Sequence, residues 1–71
     1  MAMTATEWIE TFAARLGVEP PDAATTEVLL DLAGAAAHGS ERVAAPIACW
    51  LVGRAGADAA AALATARTVA T

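Results

Sequence analysis

The chain has no lysine and no tyrosine, one phenylalanine, one cysteine and one histidine. Each shortage excludes something. A single cysteine, Cys49, cannot form an internal disulfide, so nothing covalent supports a chain of only 71 residues. Four arginines against eight acids give a net charge of −4, which cannot build the basic face that nucleic acid requires. An anionic membrane surface would repel the chain for the same reason. The scarcity of aromatic and β-branched runs argues against a β-sandwich or barrel. No apolar run is long enough to span a bilayer. The longest, Val43 to Val52, has ten residues, and a membrane helix needs about 20. The N-terminus has no basic stretch, and Glu7 and Glu10 interrupt its first apolar residues, so no signal peptide is expected. A reduced lone cysteine fits a cytoplasmic protein.

What is abundant is alanine: 22 residues, more than half of the 58% hydrophobic total. The larger apolar residues number 19. High hydrophobicity with low charge excludes disorder. A chain of this size buries only about 60% of its unfolded surface, so its stability margin is thin and a complete stand-alone enzyme is not expected.

The pattern predicts a single all-α domain over 1–71, a small four-helix bundle with helices at about 5–16, 24–38, 44–55 and 59–69. Thr4-Ala5-Thr6-Glu7 is a capping box, with Met3 placed to staple onto Trp8. Trp8, Phe12 and Leu16 recur every fourth residue, Gly17 supplies a left-handed stop, and Arg15 lies in the last turn. Pro20-Pro21 forbid helix continuation, and Asp22 or Thr25 caps the second helix. That helix carries Val28, Leu29, Leu32, Ala33 and Ala36 on one face, with Leu30 widening the stripe, and Gly39 as its stop. Pro46 is tolerated only in a first turn, so the third helix begins near Val43 or Ala44, after a short turn that Ser40 could cap. Asp58 caps a fourth helix whose stripe of Ala59, Ala62, Leu63 and Ala66 is weak, making it the expected least stable element. The expected core anchors are Trp8, Phe12, Leu16, Leu29, Leu32, Ile47, Trp50 and Leu51, with the first three helices forming the core and the fourth docked on it.

Sites of chemistry are few. There is no HExxH, no CxxC and no glycine-rich phosphate loop, and no metal or cofactor is expected. Cys49 lies in an apolar stretch where a thiol is inert, which speaks against a dyad with His38. Arg15, Arg54 and Arg67 fall near helix C-termini, where a cation complements the dipole. Arg42 falls at a helix start instead. Either it pairs with an acid such as Asp31 or with the carbonyls ending the second helix, or it joins His38, Ser40, Glu41 and the N–H groups of the third helix in an anion or partner site. His38 has its own plain role, capping the last carbonyls of its helix. Ser40 also invites comparison with acyl carrier proteins, but Gly39-Ser40-Glu41 lacks the preceding acid and following aliphatic residue of their motif.

The stretches Trp8-Ile9, Leu16-Gly17-Val18, Leu29-Leu30-Asp31-Leu32-Ala33, Ala37-His38-Gly39, Glu41-Arg42, Ala44-Ala45-Pro46 and Leu51-Val52-Gly53 together resemble DUF6457, an actinobacterial family of helical domains. Its distinctive core is His38-Gly39-x-x-Arg42-x-Ala44-Ala45-Pro46, with Val43 standing where the pattern often has proline. Such domains look like the C-terminal appendage of some molybdenum cofactor guanylyltransferases. The resemblance therefore implies a non-catalytic accessory module in molybdopterin cofactor handling, with an enzyme of that chemistry as protein partner. The alternative is a small binding protein for an anionic ligand such as a nucleotide or pterin phosphate. The small core and alanine-rich helices also point to self-association, a homodimer first, without nucleic acid or membrane as partner.

Overall fold

A computed structural model describes residues 2–70 of the chain. Its regular structure is four helices: α1 (Ala5–Leu16), α2 (Ala23–Gly39), α3 (Ala44–Ala55) and α4 (Ala59–Ala66). No strand occurs among the described residues.

Local chemistry sets most of the boundaries. At α1 the Thr4 hydroxyl accepts from the Glu7 N–H at 3.1 Å, and the Glu7 carboxylate accepts from the Thr4 N–H at 2.9 Å. This reciprocal box satisfies two donors that the first turn would otherwise leave open. Asp22 and Asp58 cap α2 and α4 by accepting from the N–H groups of Thr25 and Ala61. Gly17 and Gly56 adopt φ of 77° and 64°, and each ends its helix in the left-handed conformation that only glycine takes without strain. The N–H groups of Val18 and Ala57 reach back to Ala13 and Val52, closing both ends.

Three ends differ from expectation. Gly39 is not a left-handed stop: α2 runs through it and ends at Ser40. A Cβ on Gly39 would lie 3.3 Å from the Ala70 Cβ, so its role is to let the C-terminal turn approach α2. Ser40 does not cap α3, whose N-cap Val43 offers no side-chain bond. Finally, α4 stops at Ala66, three residues early. Beyond it the Thr68 and Val69 N–H groups bond to the carbonyls three residues back, tightening the chain into turns.

Packing departs further. The central element is α2, on which both α3 and α4 pack. Neither α3 and α4 with each other, nor α1 with any helix, makes a comparable packing. The main helix packing therefore lies in α2–α4 rather than in the first three helices, with Ala13 the one buried residue of α1, and α4, expected to be weakest, contributes a buried side chain. Among the described residues only Ala13, Leu32 and Leu63 are buried. Of the eight expected anchors, Leu32 is buried and Leu29 is half-buried. Trp8, Phe12, Leu16, Ile47, Trp50 and Leu51 are all exposed, and so is Leu30.

Helical geometry gives the reason. At 100° per residue, Ala44, Ala45, Ala48, Cys49 and Val52 share one side of α3, and all five are half-buried. Val43, Ile47 and Trp50 share the other side, with Leu51 at its edge. Beside the start of α3 the α2 residues are small, with Ala35, Ala36 and Gly39 in the shared groove, while Val28, Leu29 and Leu32 stand toward its other end. The small side of α3 fits against this surface, and its large residues point outward.

Candidate interaction surface

The predicted site residues lie where α2 hands over to α3. His38 sits in the last turn of α2, and Ser40, Glu41 and Arg42 form the connection. All four are exposed. Neither Arg42 nor His38 has a side-chain partner among the described residues, so the expected pairing of Arg42 with Asp31 or with the end of α2 does not form.

The start of α3 is closed to an anion. The Ala44 and Ala45 N–H groups donate to the carbonyls of Glu41 and Arg42 at 3.0 and 3.1 Å, and Pro46 has no N–H. The open donors expected there are absent; the basic side chains are what remains of that arrangement. Ser40 stands at a helix C-terminus, which also removes the analogy with a carrier-protein serine at a helix start.

Beside this connection lies an apolar groove of about 290 Å³ between α2, α3 and the C-terminal turn, with Gly39, Ala44, Ile47, Leu51 and Val69 in its wall. Its only side-chain polar group is the Ser40 hydroxyl. A wider, shallower depression of about 650 Å³ runs from the N-terminal half of α2 to the α3–α4 turn. Cys49 is half-buried in its wall, together with Thr25, Val28 and Leu29. His38 is ten residues from Val28 along α2, about 15 Å at helical rise, and does not line the depression that holds Cys49. No group of three or more potential metal ligands occurs among the described residues. No helix among them is long and apolar enough to cross a membrane.

The largest departure from the expected core is two exposed apolar faces; the tryptophans read first as core anchors, and the alternative of a hot spot on an exposed binding face fits their exposure instead. On α1, Trp8 and Phe12 stack with ring centroids 4.9 Å apart, and Ile9 and Leu16 extend the face. Met3, Thr11 and Arg15 border the rings, so the expected approach of Met3 to Trp8 is realised as the wall of a shallow pocket. On α3, Val43, Ile47, Trp50 and Leu51 form the second face, each more than half exposed. The signal was present in the sequence as the very periodicity that suggested burial.

No polar or charged side chain is buried among the described residues. The two displaced carboxylates, Glu7 and Asp22, are held below their ordinary values chiefly by backbone N–H donors at helix starts, and both are fully exposed capping groups. Neither is placed for acid–base chemistry. No curated protein and no solved structure matches the chain. Its sequence does match, over residues 2–71, the family described as a domain of unknown function, DUF6457, and the chain belongs to that family.

Proposed function

We propose that the chain is a non-catalytic interaction module that offers helix faces to a protein partner. One observation carries this reading. Among the described residues, twelve large apolar residues are exposed while three apolar residues are buried. Scattered single exposures are ordinary, but Trp, Phe, Ile and Leu gathered on two helix faces mark contact surfaces. The titratable groups with hydrogen-bond partners, Glu7, Asp22 and Asp58, are exposed helix caps.

The finer assignment, a place in molybdenum cofactor assembly, is supported by the family resemblance. It is tested by calorimetric titration of the chain into a molybdenum cofactor guanylyltransferase. Saturable binding that Trp50→Ala weakens at least tenfold is expected, and no binding at tens of micromolar overturns that partner.

A second reading keeps one observation in its favour. Arg42 and His38 present unpartnered basic side chains on the connection that carries the family's distinctive residues. A nucleotide or pterin phosphate bound there would raise the melting temperature, and Arg42→Ala would abolish that rise. The interaction reading expects no rise with either ligand.

A further inference from the structure

We infer that the occupant of the two open faces is a second copy of this chain, with α1 of each copy laid across α3 of the other. This rests on the interaction-module reading and names its partner.

Area is the first argument. A folded monomer of 7.1 kDa exposes roughly 4,100 Å² by the usual scaling with mass. This chain exposes 5585 Å². The surplus exceeds the roughly 800 Å² per partner that a stable interface removes. The radius of gyration agrees: 12.8 Å, against about 11 Å for a compact chain of this length.

Shape is the second. Trp8, Phe12 and Leu16 form a ridge at steps of four, and Val43, Ile47 and Leu51 form another of equal length. Both ridges are about 12 Å long, and two ridges of this kind interdigitate at a crossing near −50°. Trp50 flanks the second ridge as Ile9 flanks the first.

Coverage is the third. A reciprocal α1–α3 contact covers all four open ridges of a pair, whereas an α1–α1 contact leaves both α3 ridges exposed. Within one copy, α1 makes no extensive packing with α3. A two-fold axis then makes the contact twice, once in each direction.

The experiment uses the full chain. Sedimentation equilibrium should give twice the 7.1 kDa chain mass at micromolar concentration, with Trp8 and Trp50 shielded from iodide. Phe12→Asp and Ile47→Glu should each give a monomer that keeps the helical circular dichroism of α2–α4 and loses at most that of α1, because neither side chain is in the core. Mixing these two variants should restore a dimer, since one of the two contacts then joins an intact α1 to an intact α3. A wild-type monomer with quenchable tryptophans overturns the homodimer and leaves the faces open to another protein, so the interaction reading survives. A wild-type monomer with shielded tryptophans means that α1 closes on its own chain, which overturns both. A wild-type dimer that the mixed variants fail to restore overturns the α1–α3 pairing.

Discussion

α1 and the α2–α4 unit are built on opposite terms. α1 has the fuller set of local signals: a reciprocal capping box, a continuous apolar ridge, and a glycine-closed end with Arg15 in the last turn. It nevertheless packs on nothing extensively. The unit of α2, α3 and α4 has weaker amphipathicity, and α3 has no side-chain cap, yet it holds the two large buried side chains, Leu32 and Leu63, against Ala13 alone in α1. Local signals and tertiary packing are thus separate sources of stability, and in this chain they reside in different places. Isolated helices as short as α1 are marginal in water, so its folding depends on what covers its ridge.

The largest effect that would break this contrast is in the core. Leu32 is 2% exposed, the one large side chain that is completely enclosed. Leu32→Ala should cost about 2–5 kcal/mol, most of the margin of so small a domain. Phe12→Ala, at 48% exposure, should cost far less at concentrations too dilute for association. Urea denaturation of both variants followed by circular dichroism checks this. Equal losses would mean that α1 is part of the core after all.

Next come the glycines that close α3. Gly56 is left-handed and Gly53 is helical, and an added Cβ meets nothing within 4 Å at either. The space is equal, so only backbone conformation distinguishes them. Gly56→Ala should destabilise the α2–α4 unit by about 1–2 kcal/mol. Gly53→Ala should stabilise it by up to about 1 kcal/mol through helix propensity. Opposite shifts of the denaturation midpoint are the expected outcome.

These residues also show what the sequence could reveal. Thr4, Glu7, Asp22, Asp58, Gly17 and Gly56 act through bonds to neighbours three to five positions away, so the helix limits that they set could be read almost to the residue. Gly39 could not be read this way, because its neighbour Ala70 is distant in sequence. The orientation of α3 was hidden for a related reason. Which side of it faces inward depends on the small residues of α2, and a rule that large apolar side chains go inside picks the wrong face. His38, Ser40, Glu41 and Arg42 were legible as an exposed connection. The lack of partners for Arg42 was not, since it follows from where every acid ends up in three dimensions.

A smaller effect separates the caps. Asp58→Ala removes the side-chain acceptor at the start of α4, which packs on α2, and should lower the global midpoint by about 1 kcal/mol. Thr4→Ala removes an equivalent bond at α1. Because α1 is outside the cooperative unit, that loss should appear as faster amide exchange within α1 and leave the midpoint of the dilute monomer in place. A matching fall in the midpoint would join α1 to the rest.

The smallest effect is a titration, and it divides the same two regions. The Thr4 N–H holds the Glu7 carboxyl below its ordinary value, and the Thr25 N–H does the same for Asp22. Both folded values lie below the unfolded ones. Their stabilisation is therefore complete above the ordinary carboxylate range, roughly pH 4–5, and is lost as pH falls through the lowered values. On acidification, amide exchange in the first turn of α1 should follow Glu7, while the global midpoint should follow Asp22, which caps the central helix. Glu7→Gln keeps an acceptor oxygen and removes the titration. It should flatten the pH dependence of exchange in α1 without altering the acid limb of global unfolding. Asp22→Asn should have the reverse pattern, softening the acid limb and leaving α1 untouched. If Glu7→Gln instead changes the acid limb, α1 unfolds together with α2–α4, and its apolar ridge is already covered at the concentration of the measurement.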